Sequence, residues 1–237
     1  MKLLVLKTPS TNPSFNLALE TKLGNYVHED QFILRLWHNS PSIIMGRFQN
    51  LAFEVNQDFT QKHHIPVIKR HTGGGTVYHD EGTLNISFFK PHRPRLSQND
   101  HKDSDFITKK LVVALNKLDI QAKRDERNSI YLNDHKILGS AVALTNHIFC
   151  YHASLLFNTN LEHLKSAINW MPVYQKTDKP YVKSHRSQVT NISNHYPQIR
   201  LGDITASIIQ TLEDYFKTDD HQFLANSIES KFPAVTN

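Results

Sequence analysis

Three consecutive glycines, Gly73-Gly74-Gly75, constrain this chain more than any other feature, because it holds only eight glycines in 237 residues. Glycine concentrated this way marks a point where a Cβ is not tolerated. Either φ is positive there or another group approaches the main chain closely. The run sits in Lys69-Arg70-His71-Thr72-Gly73-Gly74-Gly75-Thr76-Val77-Tyr78-His79-Asp80. Two cations lead into it, so exposed amide N–H groups and a guanidinium meet at one place, an arrangement suited to a phosphate or a carboxylate. A plain hairpin loop enriched in glycine is the other reading. The spacing fits neither a Walker A loop nor a dinucleotide fingerprint.

The surrounding pattern predicts alternating α and β elements without a strict βαβ repeat. Strands are expected at 2–7, 32–37, 42–45, 66–69, 84–89, 130–132, 136–138 and 147–157. Helices are expected from about 16 to 27 with Ser14 as cap, at 56–63, 104–118, 161–168 and 203–216 with Asp203 as cap, and near 223–231. Residues 91–103 and 171–187 read as loops. This order favours an α+β fold, a mixed sheet flanked by helices, over a doubly wound one.

Composition excludes several classes. Apolar residues make up 39% and charged residues 21%, a globular profile rather than a disordered one. No apolar run reaches the roughly 18 residues of a membrane helix, and the apolar stretch after Met1 is too short for a signal peptide. The single cysteine, Cys150, rules out an internal disulfide framework and points to a reducing, cytoplasmic setting. A net charge of +5 with scattered basic residues is mild for a nucleic-acid binder and suits anionic substrates or an acidic partner. The 15 histidines show no metal-ligand spacing, so no resident metal is expected; His63-His64 reads as surface.

Lys136 opens the strand Lys136-Ile137-Leu138-Gly139-Ser140-Ala141. Alternation alone lets its side chain face solvent or a site. The three small residues that follow permit close approach of a ligand or another backbone.

Arg70 to Asp80 resembles the signature of the lipoate–protein ligase A family. Four further segments resemble family motifs in the same order: Asn16-Leu17-Ala18-Leu19-Glu20, Trp37 through Gly46-Arg47-Phe48-Gln49-Asn50, Arg127-Asn128 followed by Lys136–Ala141, and Ser184-His185-Arg186-Ser187-Gln188-Val189-Thr190-Asn191. The resemblance implies the α+β catalytic domain that this family shares with biotin ligases and octanoyltransferases, here a single domain over 1–237 without a C-terminal accessory domain. It implies activation of lipoate with ATP and Mg²⁺ to lipoyl-AMP. The acyl group then passes to a lysine of apo lipoyl domains, those of 2-oxoacid dehydrogenases or the glycine cleavage H protein. A separate accessory subunit is a further implied partner; nucleic acid and membrane are not.

Carried over by position, Arg70, Gly73, Gly74, Gly75, Thr76, Val77, Tyr78 and His79 line the nucleotide and acyl site, and Lys136 contacts the carboxylate and the adenylate phosphate. Asn128, Ser140, Ala141 and His152 complete the expected pocket. Attack of a carboxylate on a phosphate joins two anions, and a lysine between them stabilises the developing charge. The chain departs from the family at Ser129, where the family has Asp, and at Tyr151-His152-Ala153-Ser154, where it has His-His-Gly-Thr. The alternative is a lipoyl or octanoyl transferase of the same fold that cannot activate free acid. A thiol-dependent version would need Cys150 as nucleophile, two residues from His152 on one strand face; the other reading of Cys150 is a buried structural thiol.

Overall fold

The computed structural model describes residues 2–92, 100–145, 147–170, 172–173, 180–216 and 222–223. Its elements are β1 (Lys2–Lys7), α1 (Pro13–Leu23), β2 (Gln31–Trp37), β3 (Ser42–Met45), α2 (Leu51–Glu54), α3 (Gln57–Lys62), β4 (Val67–Lys69), β5 (Val77–His79), β6 (Thr83–Pro91), α4 (Asp100–Asn116), β7 (Lys123–Arg124), β8 (Ile130–Leu132), β9 (His135–Leu144), β10 (Ile148–Leu156), α5 (Leu161–Ala167), α6 (Leu201–Phe216) and β11 (Gln222–Phe223). Among these residues one mixed sheet runs β11-β1-β2-β6-β10-β9-β8-β7, and a smaller one runs β4-β3-β5. β1 lies parallel to β2, and the pairs from β2 through β6, β10, β9, β8 and β7 are antiparallel. This is the expected α+β architecture. No described helix is long and apolar enough to cross a membrane.

Register decides which residues share the working face. Trp37, Asn85, Ser154 and Gly139 form one row across β2, β6, β10 and β9; Arg35, Ser87, His152 and Ala141 form the next. Side chains alternate along a strand, so both rows face one way. Leu36, Ile86, Leu34, Phe88 and Tyr151 point to the opposite face, where they pack with Ile107 and Leu111 of α4 and Ile204 and Ile208 of α6. A third row on the working face, Ile33, Phe89 and Cys150, is sealed by Leu19 and Leu23 of α1. The main core therefore lies behind the sheet. The front is left for α1, the small sheet and the loops.

Local chemistry differs from the sequence expectation at several ends. α1 is capped by Asn12, whose side chain accepts from the Phe15 amide at 2.9 Å, rather than by Ser14. Pro13 is the reason: its fixed φ and missing N–H suit the first helical position, so the cap is the residue before it. The helix also ends at Leu23 and continues as a 3₁₀ turn through Gly24–Tyr26. α6 begins at Leu201, and Asp203 sits inside its first turn, accepting from the Arg200 amide at 2.8 Å. α4 begins at Asp100, so the polar loop ends earlier than expected; its residues 93–99 lie outside the described residues, as does most of the helix expected near 223–231. Sequence reasoning missed α2 and β5, the latter a three-residue strand that pairs with β3.

Candidate active site

The glycine loop joins β4 to β5 and is built around Arg70. This guanidinium is buried and donates to Gly73 O at 2.6 Å, Gly75 O at 2.9 Å, Ile44 O at 3.2 Å and Thr72 Oγ1 at 3.1 Å. The loop carbonyls thus turn inward onto the cation. The amides of Gly73, Gly74 and Gly75 donate no hydrogen bond among the described residues. Burial lowers the Arg70 pKa to about 10, partly offset by Glu20, which leaves it charged at neutral pH. Of the three loop glycines only Gly74 has positive φ, 92°, and a Cβ there would lie 2.7 Å from Arg70 Nη2. Gly46 also needs its missing Cβ, because one would lie 2.0 Å from Gly74 O.

A second segment clamps this loop from the front. Ser184 Oγ accepts from the Thr76 amide at 3.1 Å and from Gln49 Nε2 at 2.6 Å, while Gln49 Oε1 accepts from Thr76 Oγ1 and the Gly46 amide. Fully buried Glu54, on α2, holds the segment down. One of its oxygens accepts from the Ser184 amide at 3.1 Å and the other pairs with Arg186 at 2.6 Å. The same stretch runs beside β9, where the Lys136 amide donates to Gln188 O and Lys136 O accepts from the Thr190 amide.

Between the loop, the clamp and the sheet lies a cavity of about 270 Å³, lined by Leu17, Glu20, Trp37, Arg70, Gly75, Thr76, Val77, His79, Asn85, Asp125, Lys136, Ser140, Ala141 and His152 among others. A second cavity of about 120 Å³ adjoins it and is mostly apolar, with Tyr78, Leu156, Leu164, Ile168 and Trp170 in its walls. Both are lined by Thr76, Val77, Lys136 and Gly139. Lys136 therefore stands where the two meet, its side chain folded over Gly139, whose Cβ would lie 3.1 Å from Lys136 Cε. Its ammonium has no hydrogen-bond or ion-pair partner among the described residues. Burial lowers its pKa, with Asp125 opposing the shift. Asp125 accepts through one oxygen from the Arg127 and Ser129 amides, which places a carboxylate on the cavity wall beside Ser129.

Buried Glu20 pairs with the partly exposed His152 at 3.3 Å. Burial opposes ionisation of Glu20, but His152, Ser87 and Arg35 outweigh it and hold its pKa at about 2. His79 goes the other way. Burial, with Arg70 adding to it, lowers its pKa to about 3, so the ring is neutral.

Of the residues expected from sequence, Arg70, Gly75, Thr76, Val77, His79, Lys136, Ser140, Ala141 and His152 line the larger cavity. Gly73 and Gly74 do not; they shape the loop behind it. Tyr78 is buried in the apolar cluster of Ile43, Leu156 and Leu164 and reaches only the smaller cavity. Asn128 stands behind β9, donating to Ser104 Oγ and accepting from Ser140 Oγ through its carbonyl. Glu20, Asn85, Asp125 and Glu54 were missed as site residues. The one available signal was the charged or polar residue inside an otherwise apolar stretch, as at Glu20 in Leu17-Ala18-Leu19-Glu20. Cys150 is buried among Leu19, Leu23, Ile33 and Phe89 and does not line either cavity. Burial and Glu20 push its thiol well up, which opposes a nucleophilic thiolate. Its sulfur lies with the Glu20 and His152 donors within 4.8 Å of one another.

Residues 12–213 match the Lipoyl protein ligase A/B catalytic domain. The chain belongs to that family. It is 33% identical over 221 residues to the lipoate-protein ligase A of Psychrobacter cryohalolentis, a match covering 93% of this chain and 62% of that protein. The chain thus spans about three fifths of the length of that relative. Among solved structures it resembles the bi-partite lipoate protein ligase of Thermoplasma acidophilum, studied with its E2 lipoyl domain (25% identity, TM-score 0.78, 97% of this chain and 89% of that one). It also resembles P. falciparum LipL1 in complex with lipoate, at 25% identity and TM-score 0.78, covering 98% of this chain and 69% of that one.

Proposed function

We propose that this chain is the catalytic unit of a lipoate–protein ligase. It joins lipoate to AMP, using MgATP as co-substrate, and passes the acyl group to a lysine of an apo lipoyl domain. The observation that carries the reading is the largely buried Lys136 ammonium, unpartnered among the described residues, at the junction of an acyl-sized cavity and a second, smaller one. In the first step a carboxylate oxygen attacks the α-phosphorus and pyrophosphate leaves. Lys136 lies between the two anions, lowering their repulsion and stabilising the transition state. The free amides of the glycine loop supply further donors for the phosphate. In the second step the neutral amine of the acceptor lysine attacks the mixed anhydride carbonyl and AMP departs. The cations of the site favour that neutral amine.

The acyl chain takes the larger cavity, whose apolar wall is the cluster of Leu17, Trp37 and Ile44. The likeness to a lipoate-bound relative supports this substrate, and the likeness to a ligase studied with its E2 lipoyl domain supports the acceptor class. Within that class the acceptors on this reading are 2-oxoacid dehydrogenase lipoyl domains or a glycine cleavage H protein, in the cytoplasm. We read residues 1–237 as one catalytic domain that carries out both steps itself, with a separate accessory subunit as a further partner rather than a requirement, a pairing supported by the bi-partite relative. The test is intact-mass measurement of an apo lipoyl domain after incubation with the protein, MgATP and lipoate. A lipoyl mass shift supports the ligase reading. A shift only with preformed lipoyl-AMP replaces it with an acyltransferase that cannot activate free acid, and no shift in either arm removes it.

A further inference from the structure

A hydrogen-bond chain whose direction is fixed from one end to the other reaches the larger cavity through His79, Ser154 and Asn85. It starts at Arg35, which is completely buried on β2 and can only donate. Arg35 Nη2 lies 2.5 Å from Asn16 Oδ1, so that oxygen accepts. Asn16 Nδ2 must then donate, and it does so to Asn39 Oδ1 at 3.0 Å. Asn39 Nδ2 in turn donates to His79 Nδ1 at 3.1 Å. A neutral histidine that accepts at Nδ1 carries its proton on Nε2. His79 Nε2–H is thereby aimed at Ser154 Oγ, 2.8 Å away, and the serine hydroxyl donates in turn to Asn85 Oδ1 at 2.9 Å.

The last member, Asn85, is left with its amide nitrogen as a pure donor. That nitrogen is buried and has no partner among the described residues, on a residue only 1% exposed that lines the cavity. Buried donors without partners are rare, and flipping this amide to pair it with Ser154 Oγ would take away the acceptor of that hydroxyl's own hydrogen. Asn85 shares a sheet row with Gly139, two strands away, so it stands about 10 Å across the face from the place where Lys136 folds over Gly139. A carboxylate held by Lys136 would direct its acyl tail along this row toward Asn85.

We infer that Asn85 is a specificity-determining residue: its side-chain N–H selects acyl chains that carry a hydrogen-bond acceptor at the end remote from the carboxylate, such as the sulfur of a cyclic disulfide, over chains that end in a plain methyl group. The inference rests on the proposed ligase reading and deepens it. A methyl terminus leaves the donor dry and unpaired, whereas a ring sulfur gives it a partner.

The experiment compares kcat/KM for lipoate and for octanoate, measured as pyrophosphate release, in the wild-type protein, Asn85→Leu and Asn85→Thr. The leucine removes the donor; the threonine returns one on a β-branched side chain suited to a strand. The expected result is a lipoate-to-octanoate ratio reduced roughly tenfold in Asn85→Leu, carried by KM, and at least partly restored in Asn85→Thr. A ratio that stays within twofold of wild type in Asn85→Leu, with both acids consumed, overturns the inference and leaves the ligase reading intact. Equal losses for both acids in both variants, a merely structural effect, overturn it as well. Failure of the wild-type protein to use either acid overturns the ligase reading and this inference together.

Discussion

Gly74→Ala should be far more damaging than Gly73→Ala, although the two glycines are adjacent. Gly74 has φ of 92°, and a methyl there would lie 2.7 Å from Arg70 Nη2 and 3.1 Å from Ala141 Cβ. An L-residue in left-handed backbone costs about 1–2 kcal/mol. Displacing the guanidinium weakens its bonds to Gly73 O and Gly75 O, and each bond to a charged group contributes about 1.5–3 kcal/mol. The sum is about 2.5–5 kcal/mol if one such bond is lost. For a chain of this size that corresponds to a fall in Tm of about 5–20 °C, since each kcal/mol shifts Tm by about 2–4 °C. Gly73 has ordinary φ and nothing nearer than Phe48 at 3.9 Å from its Cβ position. Its alanine variant should stay within about 1 kcal/mol of wild type. Paired thermal and urea denaturation of the two variants decides the matter. Equal stability of the two would refute the claim that this loop is organised by Arg70 around a single obligatory glycine.

Three further outcomes follow from the same geometry. Glu54→Ala leaves the Ser184 amide and the Arg186 guanidinium without their buried partner, so it should cost about 3–5 kcal/mol by urea denaturation and make the 180–190 segment sensitive to protease; an unchanged midpoint would sink the clamp. His79, held near pKa 3 against an ordinary 6.5, binds no proton in the folded state over a range where the unfolded chain binds one, so stability should fall as pH drops from about 6.5 toward 3. His79→Asn should flatten that slope, and an unaltered slope in pH-dependent denaturation would count against a neutral buried ring. Cys150→Ser should keep most acyl-transfer activity, with no hydroxylamine-sensitive adduct on the wild-type thiol by mass spectrometry; an acyl adduct lost together with activity would replace the adenylate route with a thioester one.

What was readable in the sequence were features whose meaning is local. The glycine run, Lys136 with its small neighbours, and the strands that alternate apolar residues all declare themselves within a few positions. The Asn12 cap was equally local, and Pro13 beside it was the overlooked signal. Residues whose role depends on distant partners were not readable. Glu54 acquires its function from Ser184 and Arg186, about 130 positions later, and nothing in Leu51-Ala52-Phe53-Glu54 announces that. Asn85 reads as the polar step of an ordinary alternating strand until register places Ser154 beside it. Arg70 shows the converse. Its sequence position suggested a cation free for an anion, whereas the structure occupies it with loop carbonyls and leaves the backbone amides and Lys136 as the open donors.

That division of labour makes Lys136 the direct test of the whole account. The measurement is the rate at which an apo lipoyl domain gains lipoyl mass with MgATP and lipoate, compared between the wild-type protein and Lys136→Met, which keeps the length of the side chain and removes its charge. The account predicts a folded variant, with denaturation midpoint near wild type because the ammonium has no partner among the described residues to lose, and a rate lowered by about 10²-fold or more, the loss typical of removing one transition-state donor. A folded Lys136→Met protein that lipoylates within a few-fold of the wild-type rate would contradict it.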